Sequence, residues 1–468
     1  MNALRPIARL ARPILKPLGL LLAFVLPSIL AVVALLASVV SQGRLGQPPA
    51  LDRPLPERPV HDPTRPTAVV VAGNMTTEVS DLLGPYEVLA ASGAFNVYVV
   101  APERRLTPLV PVPLQHCCAF MDLMPHYSFA EYDQMIGAAP DLIVVPYIPR
   151  TNAEDAAVLS WLRERPGDRT VILSICGGAQ MVADAGILAG HTATTHQTIT
   201  LPLVRKTHPE VTWVEGVRYV DDGRVISSAG VTSGIDATLY TVGRYFGREA
   251  ALETARRIGY AHTRFLDDRT WTVPADGDAA TLPNLFRFGR TKLGLFLYEG
   301  VDEIALSSVT DTYPRALNAD VLTIGAERAF IRTRHGLDLV PRHSLASVPA
   351  VDRMLIPGRV DAAAAAPVEG WAATRMGSAA ERIHAGGGFP YDLTIADMAR
   401  QETRLIARNA ARWIEYPTAH LQLGDRDWQF GLILRGVALS LLGPVMLVGI
   451  MRARRRRATM QHRQPATA

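Results

Sequence analysis

Apolar positions fall into three regimes along the chain. At the two ends they are continuous. PLGLLLAFVLPSILAVVALLASVV, from Pro17 to Val40, carries no charge, and FGLILRGVALSLLGPVMLVGIM, from Phe430 to Met451, carries only Arg435. About 20 apolar residues cross a bilayer, so both runs predict transmembrane helices, at 17–41 and 429–451. After the first comes a proline-rich stretch, QPPALDRPLPERPVHDPTRP, an extended spacer over 42–66. From Thr67 the pattern changes to short apolar runs separated by amphipathic ones. TAVVVAG, FNVYVVAP, DLIVVP and VILSIC read as buried strands, while SDLLGPYEVLAASG, AEDAAVLSWLRERPG and GIDATLYTVGRYFG read as helices. Such alternation predicts a parallel sheet with both faces covered. WVEGVRYVDDGRVISSAG adds a β-hairpin turning at Asp-Asp-Gly.

At Lys292 the pattern restarts. KLGLFLYEGVDEIALSSVTDTY repeats TAVVVAGNMTTEVSDLLGPYEV, ADVLTIGAE matches FNVYVVAPE, and VDRMLIPG matches PDLIVVPY. The expected organisation is an α/β domain over 67–265, a linker over 266–291 and a degenerate second copy over 292–423. Where the copy should continue there are only AAAAAPVEGWAATRMG and IHAGGGFP, and no cysteine follows residue 176. Its last element, TIADMARQETRLIARNAARWI, predicts one helix, with Thr394 and Asp397 as a capping box and an apolar face from Ile395 to Trp413.

Charge orients this arrangement. Arg5, Arg9, Arg12 and Lys16 precede the first apolar run, and Arg452, the Arg454–Arg457 block and Arg463 follow the second, with no acidic residue in either tail. Both tails, 1–16 and 452–468, are therefore expected in the cytoplasm, with the large domains outside the cytoplasmic membrane. A cleaved signal peptide ending in LLASVVSQG is the rival reading of the first run. The formal net charge of +4 resides in these tails. The body is mildly acidic, so the bilayer is an expected partner and nucleic acid is not. Near-exclusive use of arginine over lysine points to a GC-rich bacterial genome. Three cysteines form no disulfide framework; neighbours Cys117 and Cys118 are able to pair with each other or with a partner in an oxidising compartment, two small buried hydrophobes being the stronger reading.

The stretch VILSICGGAQMVADAG, from Val171 to Gly186, is where chemistry is expected: a strand, a sharp turn and a helix. Cys176 at such a turn is pushed out of the sheet edge with helix amides aimed at its sulfur, which predicts a lowered thiol pKa. Gly177 and Gly178 suit a strained elbow with no room beside it.

Three motifs then carry a resemblance: DLLGPYEV at Asp81, SICGGAQMVADAGILAG followed by TATTH, and SSAGVTSGIDATLY. The chain resembles the ThiJ/PfpI superfamily, the class I glutamine amidotransferase-like fold, and most nearly its branch of isocyanide hydratases and AraC-type regulator sensor domains. The fold implied is a flavodoxin-like parallel sheet with a nucleophile elbow, here duplicated and flanked by two transmembrane helices. The resemblance implies Cys176 as nucleophile and Asp81 as the acid or base beside it. Gly177 and Gly178 would supply the elbow and oxyanion amides. His196 of TATTH and Tyr147 are candidates for binding, with packing the stronger reading of His196.

The chain departs from the family pattern in three places. Gly177 stands where hydratases have threonine, no histidine follows Cys176, and Tyr147-Ile148 replaces the Gly-Gly expected after the DLIVVP strand. In the second copy Ala305 stands where the acid should be, so that copy is expected to be silent. Two functions fit: a small-molecule hydrolase or hydratase using Cys176, or a noncatalytic ligand or redox sensor or scaffold. The two copies would form a pseudo-dimer within one chain, or the chain a homo-oligomer. Neither histidine nor cysteine spacing suggests a metal, and no loop suggests a phosphate cofactor.

Overall fold

The computed structural model describes residues 21–30, 33, 54–111, 120–149, 154–274, 283–284, 286–287 and 289–461. Cys117 and Cys118 lie outside these, as do residues 42–53 of the spacer, both extreme tails and much of the first apolar run. The chain divides into two compact units: Gly43–Asp278 with Arg290–Asp427, and the terminal parts Met1–Gln42 and Trp428–Ala468 with Ala279–Gly289.

In the larger unit, the first half builds a seven-stranded sheet in the order Tyr219–Asp222, Val225–Ser228, Val171–Ser174, Leu142–Val145, Thr67–Val71, Asn96–Ala101, Tyr127–Ser128. Every neighbouring pair is parallel except the edge hairpin, where Asp222 faces Val225 across a turn at Gly223, a glycine at φ 72°. Apolar residues fill both faces of the central strands, as a sheet covered by helices on each side demands. The second half builds a five-stranded, all-parallel sheet in the order His343–Ser344, Ala319–Gly325, Thr291–Phe296, Arg353–Ile356, Glu381–Arg382.

A third sheet is shared between the halves. Asp338–Pro341 of the second half pairs antiparallel with Met121–Met124 of the first, Leu339 facing Leu123, and Thr107–Val110 and Thr77–Glu78 extend the sheet beyond. Helix Val79–Ser92 packs against helix Glu303–Arg315. Polar contacts fasten that seam: Glu87 accepts the Ile304 amide at 2.6 Å, and the Tyr86 hydroxyl donates to the His335 carbonyl at 2.9 Å.

Backbone bonds give the correspondence between the halves. Thr67 N donates to Asp141 as Lys292 N donates to Asp352. Counting from these residues, Glu303 takes the place of Glu78. Leu306, not Ala305, takes the place of Asp81, so the acid is replaced by a buried apolar side chain. The single helix expected over 394–414 is two, Pro390–Gln401 and Arg404–Trp413. Pro390 starts the first a turn early, because its fixed φ suits an N-terminal helical position. Thr403 caps the second by accepting the Ile406 amide. Thr394 and Asp397 do not cap anything: Thr394 bonds His384 and Ser308, and Asp397 pairs with Arg353.

In the smaller unit, helix Phe430–Gln461 runs past the expected end at Met451, since the arginines that follow favour helix and no stop signal interrupts them. Its segment Phe430–Arg456 is, among the described residues, the one helix long and apolar enough to cross a membrane. Leu21–Leu30 of the first run is a shorter apolar helix. The Ser28 and Ser440 hydroxyls of these two helices meet at 2.6 Å.

The shared sheet makes a prediction. Leu339 is fully buried in it, and Leu339→Ala should cost about 2–5 kcal/mol. Hydrogen exchange read by mass spectrometry should show the strands at 67–71 and 291–296 losing protection together. Loss confined to one half would mean the halves fold independently.

Candidate functional site

The elbow forms as its residues require. Strand Val171–Ser174 ends at Ile175, and Cys176 adopts φ 54°, a left-handed conformation costly for a residue with a side chain. Two motifs hold it there. Thr195 of TATTH donates its hydroxyl to the Cys176 carbonyl at 2.6 Å, and the Cys176 amide donates to the Ser228 hydroxyl of SSAG at 3.3 Å. Helix Gly178–Asp184 follows at once. A Cβ on Gly178 would lie 2.0 Å from the Val145 carbonyl oxygen, so only glycine fits.

Asp81 lies in the first turn of helix Val79–Ser92 and is fully buried. Its Oδ2 accepts the Tyr147 amide at 3.1 Å, and its own amide donates to Glu78 at 2.6 Å. The Glu78 amide in turn donates to the Tyr147 carbonyl at 2.9 Å. Tyr147 therefore binds the acid-bearing helix through its backbone while its ring covers Gly177: a Cβ there would meet the ring at 2.4 Å. This explains two departures from the family pattern at once. With Tyr147 where a glycine is expected, a threonine after the cysteine has no room. The amides of Tyr147 and Gly178, candidates for an oxyanion, are committed to Asp81 and to the Ile175 carbonyl.

Three further charged residues reach this site, all from the second half or the segment after it. Arg315 grips Asp311 with two hydrogen bonds, 2.8 and 3.0 Å, and stands 3.6 Å from Glu78. Glu415, left-handed at φ 52°, lies against Gly230, accepts the Gln197 amide at 2.9 Å and is 4.0 Å from His196. All three are buried. Periodicity marks Asp311 and Arg315 only as residues of a helix, and Glu415 follows a helix end; no motif announces any of them. Glu78 was legible as a residue preceding a helix, but its capping role needs the fold.

This environment reverses the expectation of a thiolate. Cys176 is only 3% exposed. Burial pushes its thiol well up, the nearby Asp81, Glu78 and Glu415 add to the effect, and Arg315 opposes it. The helix beyond the elbow is a mere two turns, too little to outweigh desolvation. Burial also raises Asp81 to about 8, against the Tyr147 amide bond, and raises Glu78 well above the usual carboxylate range. At neutral pH the site holds protons, a thiol beside a carboxylic acid, and Oδ1 of Asp81, Oε1 of Glu78 and Oε2 of Glu415 are buried without a hydrogen-bond partner. His196 is buried, its pKa lowered mainly by burial. Nε2 donates to the Trp413 carbonyl at 3.0 Å and Nδ1 accepts the Ile199 amide at 3.2 Å, so both ring nitrogens are engaged in packing the chain.

Residues 67–242 match the model of the DJ-1/PfpI family. An isonitrile hydratase of Pseudomonas putida is 28% identical over 187 residues, 39% of this chain and 73% of that protein. Among solved structures, DJ-1beta of Drosophila melanogaster aligns over 42% of this chain and 100% of its own, at 19% identity and a TM-score of 0.34. An AraC family transcriptional regulator from Pseudomonas putida aligns over 41% and 98%, at 16% identity and a TM-score of 0.34.

The raised acid predicts a pH dependence. The folded protein keeps the Asp81 proton up to about pH 8, whereas an unfolded chain releases it near pH 4. The stability this group contributes is complete below about 4 and is lost as pH rises through 8. Asp81→Asn should flatten that part of the Tm-against-pH curve, leaving the variant about 1–3 kcal/mol more stable than the parent at pH 8.5. An unchanged slope would show that Asp81 is ionised in the folded state.

Proposed function

We propose that this chain is a membrane-anchored, extracytoplasmic sensor or scaffold, in which a DJ-1/PfpI family domain over residues 67–242 keeps the elbow cysteine without the open thiolate of an enzyme that turns over. The observation that carries this reading is the closure of the elbow. The thiol is buried and held protonated, with the Tyr147 ring over Gly177. A nucleophile needs an approach path and a deprotonated sulfur, and this site favours neither.

The rest of the chain fits a display role. An apolar helix at Phe430–Arg456 flanked by arginines suits a bilayer anchor with its basic end in the cytoplasm. The first apolar run, similarly flanked, suits a second. The paired helices Val79–Ser92 and Glu303–Arg315 and the shared sheet support reading the halves as an internal pseudo-dimer. Its second half supplies charges to the first and has lost the acid and the nucleophile.

A second reading, a hydratase of small molecules, is favoured by one observation: Cys176 and Asp81 are both retained and act on each other electrostatically, in a chain similar to an isonitrile hydratase. There the sulfur would add to the terminal carbon of an isonitrile while Asp81 delivers a proton. Water would then displace the sulfur, releasing an N-substituted formamide and restoring the thiol.

Alkylation of Cys176 in the full-length, detergent-solubilised protein distinguishes these readings. The parent should stay unmodified by iodoacetamide at pH 7–8 until denaturant unfolds it, whereas Tyr147→Gly combined with Gly177→Thr should open the site and raise the alkylation rate at least about 10-fold. Formamide production from a small alkyl isonitrile by the parent, abolished by Cys176→Ser, would overturn the sensor reading. In spheroplasts, added protease should digest the region 67–427 and spare both tails; protection of that region would overturn the topology.

A further inference from the structure

Outside the elbow, three residues distant in sequence converge. His262 precedes the short helix Thr263–Leu266, Asp392 lies in the first turn of helix Pro390–Gln401, and His420 follows helix Arg404–Trp413. One donor atom from each, a ring nitrogen from either histidine and a carboxylate oxygen, lies within 4.8 Å of the other two. Donors bound to a single metal at about 2.0–2.2 Å stand roughly 3.3 Å apart in a tetrahedral site, so the cluster needs only small side-chain rotations. His420 Nε2 and Asp392 Oδ1 are already 2.7 Å apart, and the two imidazoles meet edge to face with centroids 4.4 Å apart.

The surroundings are those of a supported ligand set. The Tyr416 hydroxyl donates to Asp392 Oδ1 at 2.6 Å and stands 3.2 Å from His262 Nε2, an outer contact of the kind that orients ligating groups. Tyr260 packs edge to face on His262 from behind, and Phe389 packs on Tyr260. On the other side the His420 side chain is 37% exposed and that of Asp392 22%, so a cation can enter from solvent.

We propose that His262, Asp392 and His420 bind one borderline divalent transition-metal cation, zinc foremost, with Tyr416 orienting Asp392 and water in the remaining position. Two imidazoles and one carboxylate suit such ions, whereas magnesium and calcium prefer all-oxygen sets. The bound ion would join the end of the first half, a helix of the second and the segment that leads toward Phe430. It uses no residue around Cys176. The spacing of histidines in the sequence gave no warning of it, because the ligands come from three elements. A second convergence, Glu87, Glu303 and His335, is a different case. It is largely buried, and its carboxylates already accept bonds from Thr333, His335 and the Ile304 amide.

The test uses full-length protein in detergent, stripped with EDTA and titrated with Zn2+ against a chromophoric chelator, then with Co2+ for its visible ligand-field bands. The expected result is one tight Zn2+ per chain, a raised Tm and four-coordinate Co2+ bands. His262→Ala and His420→Ala should each abolish the bands and weaken Zn2+ binding by roughly 100-fold, and Tyr416→Phe should weaken it about 10-fold. His335→Ala should leave the stoichiometry and bands as they are. Because His420 is the exposed member, His420→Ala with an unchanged circular dichroism spectrum separates loss of a ligand from loss of the fold. The proposal is overturned if the parent binds no Zn2+ below about 100 µM, or if Zn2+ stoichiometry and Co2+ bands survive in both histidine variants.

Discussion

The guanidinium of Arg315 is fully enclosed where the two α/β halves meet, and the architecture around the elbow depends on its being matched. A buried charge costs several kcal/mol unless it is paired and hydrogen-bonded. Asp311, one turn earlier on the same helix, provides a two-bond grip, and Glu78 approaches from the first half. Glu78 is also the residue that caps helix Val79–Ser92 by accepting the Asp81 amide. One charge therefore couples the seam between the halves to the start of the helix that carries the acid. Burial is the main reason Glu78 and Asp81 are raised, and the presence of three carboxyl groups around one cation in that low-dielectric space adds to it.

Closure of the elbow follows from a linked exchange of side chains. Tyr147 and Gly177 occupy one volume, so an aromatic ring on one strand end requires glycine after the cysteine. The Tyr147 backbone then serves the acid-bearing helix in both directions, taking Asp81 with its amide and Glu78 with its carbonyl. The strained conformation of Cys176 survives although its sulfur is shielded, because Thr195 and Ser228 hold the backbone on either side. The elbow keeps its shape with the thiol as part of the core.

The segment after helix Arg404–Trp413 binds the larger unit together from another direction. Thr232 of the SSAGVTSGID motif donates to the Ile414 and Glu415 carbonyls at 3.0 and 2.8 Å. Arg218, itself buried and paired with Asp236 at 2.6 Å, also reaches the Glu415 carbonyl. A motif that in sequence reads as part of the site thus works largely as a socket for the end of the chain. The left-handed backbone of Glu415 turns that segment toward the elbow and onward to His420.

Alternation of apolar runs was sufficient to read six of the seven strands of the first sheet, including the hairpin at Gly223, as well as the restart at Lys292 and the elbow at Cys176, because each depends on local periodicity or on a turn that only certain residues tolerate; the two-residue edge strand Tyr127–Ser128 is too short to show either. The same local logic misplaced the helix start at Thr394, where Pro390 and burial of the threonine hydroxyl prevailed, and assigned Ala305 a place that strand pairing gives to Leu306. It also misjudged the thiol, since a helix dipole is visible in sequence and desolvation is not. The approach of Arg315 to Glu78, the placing of Glu415 and the His262–Asp392–His420 cluster were beyond sequence reasoning altogether. Their meaning lies in distances between residues far apart along the chain, and only the packing of one half on the other creates those distances.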